Sequence, residues 1–162
     1  MDDGSKKSLP RGIRNHNPGN IKLGTAWDGL SDEQNDDVFC QFKEPVWGLR
    51  ALVRILLTYR FNYDIKTIEK IIHRWAPPIE NDTDNYIQYV CAATSKAKDE
   101  ELANSIEDYL PLVKAIIRME NGDQPYDDEV ISEGMLKAWE GHPTTWRKKK
   151  DYTQTYMLNV EE

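Results

Sequence analysis

The sequence is poor in the side chains that bind metals and form covalent cross-links. It has two cysteines, Cys40 and Cys91, and three histidines among 162 residues. The cysteines lie in apolar surroundings without a partner at metal-ligand spacing, and the histidines occur singly, which argues against a zinc hydrolase. Buried free thiols are therefore expected. The sequence also lacks a Gly-rich phosphate loop, so we expect no cofactor and no metal.

Positive charge and long apolar runs are also scarce. The formal net charge is −7 at pH 7, and the one basic run is Arg147 to Lys150. Because nucleic-acid binding depends on Lys and Arg that neutralise phosphates, this balance argues against a nucleic-acid partner. No window approaches the roughly 18 apolar residues of a membrane span, and residues 1 to 19 contain no stretch suited to a signal peptide. We therefore expect no membrane partner, and another carrier if the protein acts outside the cytoplasm.

The remaining composition is typical of one folded domain. Hydrophobic residues make up 39% of the chain and charged residues 30%, which separates it from disordered sequences. A chain of this length can bury enough apolar surface to fold without cross-links. Five Trp and eight Tyr are many for this length. They fill the core in one interpretation and line a carbohydrate or protein contact surface in the other.

The first part of the chain is predicted to be mostly irregular. Residues 1 to 10 are polar and charged and have the character of a flexible leader. Asn, Gly and Asp favour turns and left-handed backbone, and they crowd residues 14 to 37, so this segment should contain short strands at most. Residues 38 to 42 alternate enough to form one such strand. A small irregular or β-containing segment is thus expected before the helices.

From Pro45 onward the apolar spacing becomes helical. The first helix is apolar around most of its circumference, which predicts a central, buried position. Thr67 can cap a second helix that a Pro-Pro pair ends. Asn81 or Thr83 can cap a third. The pattern therefore predicts a mainly α (α+β) class.

Two more helices complete the predicted domain. The first of them carries an apolar stripe that ends near Glu120, and the second covers residues 128 to 140 and is closed by Gly141. We expect a single domain over residues 11 to 141. Residues 142 to 162 form an extension of unknown role.

Glu120 combines two features of a catalytic acid. The stripe of Tyr109, Leu112, Val113, Ile116 and Ile117 steps by three and four, and its next position is 120. Burial and the negative end of the helix dipole both favour the protonated carboxyl, which a general acid needs near neutral pH. The alternative is an ordinary helix end, in which Asn121 or Gly122 takes the left-handed cap and Glu120 extends into solvent.

Two polar clusters could contact a sugar. One follows the Pro-Pro pair and contains Glu80 and Thr83. In one interpretation Thr83 caps a helix and Glu80 is a surface acid; in the other, both belong to the polar rim of a sugar site. The other contains three amides, Asn15, Asn17 and Asn20. They can shape the loop by bonding its backbone, and they also match the hydroxyl and acetamido groups of sugars. Both interpretations stay open from the residues alone.

Three segments resemble lysozyme-like enzymes. Residues 112 to 122, LVKAIIRMENG, resemble the helix of lytic transglycosylases and goose-type lysozymes that ends in the catalytic Glu, with Asn121 where Ser is usual. Residues 17 to 29, NPGNIKLGTAWDG, are similar to a segment of autolysin-type glucosaminidases, which share the lysozyme-like fold. Residues 80 to 90, ENDTDNYIQYV, look like a stretch near the end of the transglycosylase domain. Both segments precede the Glu helix here and follow it in those families, which suggests a circularly permuted lysozyme-like domain.

Residues 11 to 138 are also similar to a family of small phage and prophage proteins, often described as virion structural proteins. That family shares four motifs, and this chain has all of them. They span Arg14 to Ile21, Phe39 to Ala51, Trp75 to Thr83 and Glu120 to Tyr126.

The resemblances imply a phage-derived peptidoglycan-degrading enzyme of the endolysin kind. It would be a lytic transglycosylase or muramidase that cleaves the glycan strand between N-acetylmuramic acid and N-acetylglucosamine. Glu120 would act as general acid and then base, and Glu80 would be the second carboxylate of a hydrolase, with Asp28 behind it. The amides Asn15, Asn17 and Asn20 would line the cleft, with Thr83, Tyr86 and Tyr126 as neighbours.

This interpretation sets the expected partners and location. The partners are peptidoglycan glycan strands and phage virion proteins, and the protein would reach the bacterial cell wall from the virion or from the host cytoplasm. Two other functions fit the same residues. One is a catalytically inactive virion structural or cell-wall-binding protein, and the other is a phage inhibitor of a host protein.

Overall fold

The computed structural model describes residues 9 to 142, and in this range the protein is mainly helical, as predicted. No helix in this range is long and apolar enough to cross a membrane. Most of the expected leader and nearly all of the C-terminal extension lie outside the described residues. The helices between residues 9 and 142 are α1 (Arg11–Arg14), α2 (Pro45–Tyr63), α3 (Ile68–Trp75), α4 (Thr83–Thr94), α5 (Ile106–Asn121) and α6 (Asp128–Trp139).

Helix α2 forms the centre of the core, as its apolar sequence predicts. Leu49, Leu52 and Leu56 are fully buried, and α6 packs along the helix. The close approach depends on Gly134 of α6, because a Cβ there would lie 2.6 Å from Leu49 Cβ. Helix α5 packs against both α4 and α6, and α4 also contacts α3. The core therefore brings the end of α5 close to the ends of α3 and α4.

Most helix boundaries follow from local capping. The Thr67 side chain accepts a hydrogen bond from Lys70 N and begins α3, as predicted. The Ser105 side chain accepts a hydrogen bond from Asp108 N and begins α5. This helix ends at Gly122, which has a left-handed conformation with φ 74°. Gly141 also has a positive φ, 76°, two residues after the end of α6. Glu120 thus lies in the last turn of a helix with a defined end.

The predicted cap of α4 was wrong by one residue. Asp82 is the N-cap, and its carboxylate accepts a hydrogen bond from Asn85 N. Thr83 instead donates its hydroxyl proton to the carbonyl of Ala76 at 2.6 Å, and Asn81 donates its amide to the carbonyl of Pro77 at 3.0 Å. Both side chains stabilise the turn that joins α3 to α4.

We call residues 15 to 44 the N-terminal loop region. It contains less β structure than expected, and a short helix that was not expected precedes it. The bridges Lys22–Phe39 and Leu30–Phe42 are isolated, so residues 38 to 42 take part in pairing without forming a strand. The short helix α1 precedes the region and was not predicted, because four residues are too few to show helical periodicity.

Asp36 organises the N-terminal loop region. Its carboxylate accepts two hydrogen bonds of 2.7 Å from the Arg11 guanidinium and one of 3.0 Å from the amide of Asn15. It also accepts the backbone N–H groups of Val38 and Phe39, each at 2.9 Å. The Arg11 bonds, followed by those from the backbone and Asn15, lower the pKa of Asp36 far below its usual range. The carboxylate thereby ties the start of α1 to a turn 25 residues later.

Candidate functional site

The side chain of Glu120 is half-buried at the C-terminal end of α5. The residues one turn before it, Ile116 and Ile117, are fully buried, so the apolar stripe does continue toward the carboxylate. Gly122 ends the helix in the left-handed conformation. Glu120 is therefore both near the end of a helix and directed toward the interior. The two are compatible because the residues that follow Glu120 make the cap.

Three neutral donors hold the Glu120 carboxylate. The indole Nε1 of Trp75 donates to Oε2 at 3.1 Å, and the hydroxyl of Tyr86 donates to the same oxygen at 2.9 Å. The amide of Asn20 makes longer contacts of 3.4 Å to Oε1 and to the main-chain carbonyl of Glu120. We call these four residues the Glu120 cluster.

Each member of the Glu120 cluster comes from a different part of the chain. Trp75 is the last residue of α3, Tyr86 lies in the first turns of α4, and Asn20 lies in the N-terminal loop region, 100 residues before Glu120. Asn20 has a positive φ of 51°, a conformation that Asn tolerates better than most residues. The carboxylate is therefore fixed by tertiary structure and not by its own helix.

The two carboxylate oxygens have different surroundings. Oε2 accepts both short bonds, whereas the contact of Oε1 within residues 9 to 142 is the long one to Asn20. For Tyr86, burial and then the nearby Glu120 charge raise the pKa well above its ordinary value. Tyr86 is therefore a neutral phenol that can serve as a donor.

Asn121 connects the end of α5 to the N-terminal loop region. Its amide donates to the carbonyl of Pro18 at 2.8 Å and to the carbonyl of Ile117 at 3.0 Å. A Cβ at Gly12 would collide with the amide oxygens of both Asn121 and Asn20, so only glycine lets α1 approach them. The contact places Asn20 against Glu120.

Asn15 and Asn17, two of the predicted sugar-binding amides, are engaged within the protein. Asn17 is fully buried, and its amide nitrogen donates to the carbonyls of Ile21 and Cys40, both at 2.9 Å. Its amide oxygen accepts Ile21 N at 3.0 Å. Asn15 bonds Asp36 and accepts from Gln41 at 3.0 Å. The structure supports the loop-shaping role for both residues and brings only Asn20 to Glu120.

The remaining predicted site residues have separate positions. Thr83 is buried against the carbonyl of Ala76, next to the cluster in sequence but not bonded to Glu120. Glu80 is exposed in the turn before α4, and the Asp28 carboxylate lies 3.4 Å from the Arg50 guanidinium. Tyr126 lines a different depression, of about 500 Å3, and burial raises its pKa to about 12.

An open depression lies beside the Glu120 cluster. Its volume is about 230 Å3, and its walls include Asn20, Trp75, Lys22, Tyr59 and Gly19. It shares Asn20 and Trp75 with the cluster, so a molecule bound there would lie next to the residues that hold the carboxylate. Gly19 lies close to the Trp75 ring, since a Cβ at this position would be 3.2 Å from it.

A larger depression of about 530 Å3 lies between α4 and α5. Tyr89, Lys114 and Arg118 line it, and no member of the Glu120 cluster does. We place the candidate site at Glu120 because the chemistry is there, although the cavity is smaller. Within residues 9 to 142, no group of three His, Cys, Asp or Glu side chains is placed to hold a metal ion.

The sequence alone did not indicate the roles of Trp75, Asp36 and Gly12. An indole N–H can always donate a hydrogen bond, but the acceptor of the Trp75 bond, Glu120, lies 45 residues away in the sequence. Only the fold shows that the two meet. For Asp36, the signal was available in part, since Asp before a turn commonly accepts backbone N–H groups.

Fold and site define a mainly helical protein in which a half-buried helix-end carboxylate is held by neutral donors. No family model matches the chain. It is similar to a phage protein, Protein P5 of Pseudoalteromonas phage PM2, at 44% identity over 128 residues. The match covers 76% of this chain and 79% of the relative. The chain therefore belongs to a family of phage proteins, the one that includes Protein P5 of phage PM2.

Proposed function

We propose that the protein cleaves the peptidoglycan glycan strand between N-acetylmuramic acid and N-acetylglucosamine, with Glu120 as the group that gives and takes the proton. The observation that carries the proposal is the held carboxylate. Glu120 is half-buried and fixed by Trp75 and Tyr86, and its hydrogen-bond partners Trp75 and Asn20 line an open depression. A carboxyl group held by its neighbours beside an accessible space is what general acid–base catalysis requires.

The hydrogen bonds to Glu120 suggest which oxygen reacts. Oε2 already accepts from Trp75 and Tyr86, so a proton on Oε1 is compatible with both bonds. As the bond between C1 and the glycosidic oxygen breaks, its electrons stay on that oxygen, which takes the proton from Oε1. The N-acetyl group of the substrate stabilises the positive charge at C1. The attacking hydroxyl then forms its bond to C1 and returns a proton to Glu120.

The cluster favours a transglycosylase over a hydrolase with two carboxylates. The side chains that contact Glu120 in the described chain are neutral, namely Asn20, Trp75 and Tyr86. Glu80 is exposed in a turn, and Asp28 is paired with Arg50. A second catalytic carboxylate is needed only when the substrate does not stabilise the charge itself. Mass spectrometry separates the two reactions, since transglycosylase fragments lack one water relative to hydrolase fragments.

We also propose a circularly permuted lysozyme-like fold. Two of the segments that resemble lysozyme-like families, residues 17 to 29 and 80 to 90, come before the Glu helix. Even so, Asn20 contacts Glu120 across 100 residues of sequence, and Asn121 donates a hydrogen bond to Pro18 across 103. Under this proposal, segments whose order along the chain differs from that in lysozyme-like enzymes still meet at the Glu120 carboxylate. The proposal also includes delivery by a phage, supported by the relationship to a phage PM2 protein, either as a virion component or by release from the host cytoplasm.

A zymogram with purified peptidoglycan tests the activity. We expect clearing by the unaltered protein and at least a roughly 100-fold loss in Glu120→Gln, because amide cannot replace the proton transfer. Glu107→Gln is the matched control, since Glu107 is exposed in the first turn of the same helix. Equal clearing by Glu120→Gln would refute the assignment. Absence of clearing by the unaltered protein, with binding to sacculi, would favour the wall-binding alternative.

A further inference from the structure

The depression beside the Glu120 cluster is small and carries positive charge. At about 230 Å3 it is smaller than the roughly 300–1,000 Å3 typical of sites for drug-sized ligands, so it suits one sugar ring. The Trp75 and Tyr59 side chains line it. Flat amphipathic rings of this kind pack on the apolar faces of sugars while their polar atoms stay hydrogen-bonded.

Lys22 is the charged side chain among the described residues that line the depression, and no acidic side chain is among them. It is exposed, and it takes part in none of the ion pairs among residues 9 to 142. Its backbone is fixed by the bridge to Phe39 and by the thiol of Cys40, which donates to the Lys22 carbonyl at 3.4 Å. A cationic side chain on a fixed backbone therefore borders a sugar-sized space in a chain of net charge −7.

Burial strengthens the preference of Tyr59 for its neutral form beside this cation. It raises the pKa of the Tyr59 hydroxyl to about 12, although the nearby Arg74 acts in the opposite direction. The Arg74 guanidinium lies 5.5 Å from the Tyr59 ring centroid, so a second positive charge is close to the same wall. The charge distribution of this wall matches an anionic ligand.

We infer that Lys22 is a specificity-determining residue, which selects the sugar that carries a carboxylate for the depression beside Glu120. The carboxylate could be that of the lactyl ether of N-acetylmuramic acid or those of a peptide attached to it, and both would pair with the Lys22 ammonium. The inference rests on the proposed function, because it assigns the acidic sugar of the glycan strand to this depression. N-acetylglucosamine, which has no carboxylate, would be disfavoured there.

Binding of three sugars measured by NMR titration tests the inference without requiring catalysis. The probes are N-acetylmuramic acid, N-acetylmuramic acid linked to a dipeptide, and N-acetylglucosamine, and the indole N–H signal of Trp75 reports on the depression. We expect one or both acidic sugars to bind about fivefold more tightly than the neutral one, as for an exposed ion pair. High salt should remove the preference. The acidic probe that binds more tightly identifies the source of the carboxylate.

Variants of Lys22 make the test specific. Lys22→Met should abolish the preference, Lys22→Arg should retain most of it, and the control Lys70→Met, at an exposed position on α3, should leave it unchanged. An equal preference in Lys22→Met and in the unaltered protein would overturn the inference, as would equal binding of all three probes by the unaltered protein.

Failure of this inference is distinguishable from failure of the proposed function. If the protein clears peptidoglycan but binds acidic and neutral sugars equally, the role of Lys22 is refuted and the activity stands. If it shows the Lys22-dependent preference but never clears peptidoglycan, the activity is refuted and the depression remains a binding site for acidic sugars.

Discussion

The helical region, residues 45 to 142, and the N-terminal loop region, residues 15 to 44, are stabilised in different ways. The helical region has a continuous apolar core in which Leu56, Ile72 and Ile116 are fully buried. The loop region has a small apolar cluster and depends on polar side chains such as Asn17 and Asp36 that bond its backbone. Apolar contacts tolerate some rearrangement, whereas hydrogen bonds fix particular atoms.

This difference explains how the Glu120 cluster is built. The helical region supplies Glu120, Trp75 and Tyr86, which lie near the ends of three packed helices. The loop region supplies Asn20 and one side of the depression, and the helical region supplies the other side with Tyr59 and Trp75. A stable core thus positions the carboxylate, and a hydrogen-bonded loop completes the space next to it.

Removing core volume should give the largest effect and separate the regions. Leu56→Ala is expected to lower the free energy of unfolding by about 3 kcal/mol, because it leaves a cavity in a fully buried site. Amides of α2 and α5 that exchange through global unfolding should then exchange about 100-fold faster. Amides of the loop region that exchange by local opening should keep their rates, since the core stays intact in that opening. Hydrogen exchange measures both, and equal acceleration everywhere would show that the two regions unfold as one unit.

Acidification should weaken the helical region before the loop region. His142 is buried, and burial, followed by the positive charges of Arg54 and Arg50, lowers its pKa to about 4. The unfolded chain, with a His pKa of about 6.5, therefore takes up a proton first as the pH falls. Stability from this group is complete above pH 6.5 and is lost progressively down to pH 4, by at most about 3 kcal/mol.

Urea denaturation at several pH values, with two variants, checks the assignment. His142→Gln should flatten the pH dependence in this window, whereas His73→Gln, at an exposed position, should not. The Asp36 carboxylate, whose pKa is lowered, should lose its contribution only at lower pH, below its unfolded value of 3.8. A midpoint independent of pH between 6.5 and 4 would contradict the prediction for His142.

The contact between the two regions should be sensitive to one added methyl group. A Cβ at Gly48 of α2 would collide with the carbonyl oxygen of His16, and neither backbone can move freely. Gly48→Ala should therefore lower the free energy of unfolding by about 2 kcal/mol. In an unobstructed helix the same change would stabilise by about 1 kcal/mol. Thermal unfolding gives the sign, and a stabilised variant would show that the loop does not lie against α2 at this position.

Removing a loop amide should give the smallest effect and an exchange pattern different from that of Leu56→Ala. Asn17→Ala removes the partner of the buried Ile21 N–H and of the Cys40 carbonyl, whereas the Ile21 carbonyl keeps its bond from Cys40 N, and we expect a loss of about 1.5 kcal/mol. This loss destabilises the folded state against both local and global opening. Exchange should therefore accelerate about tenfold in the loop region and in the core alike. Acceleration confined to core amides would exclude the proposed role of Asn17.

The sequence predicted the features that depend on periodicity and capping. The spacing of apolar residues located the helices, and the stripe ending at Glu120 correctly placed its side chain toward the interior. Thr67 and Gly122 were recognisable caps. The cap of α4 was misassigned because Asn81, Asp82 and Thr83 are adjacent residues that can all cap, and only the path of the turn selects Asp82.

The composition of the site was harder to predict, because it depends on long-range contacts. Asn15, Asn17 and Asn20 look equivalent in the sequence, yet only Asn20 has the left-handed backbone that turns its amide toward Glu120. Trp75 and Tyr86 meet one carboxylate oxygen because α3, α4 and α5 converge. No local pattern encodes that convergence.

The most direct test of the central claim separates binding from chemistry at Glu120. Unaltered protein and Glu120→Gln are mixed with purified sacculi, and the bound protein and the released glycan fragments are measured in the same sample. We expect equal co-sedimentation, with fragment release by the variant at about 1% or less of the unaltered rate. Release at equal rates, or binding by the unaltered protein without any release, would contradict it.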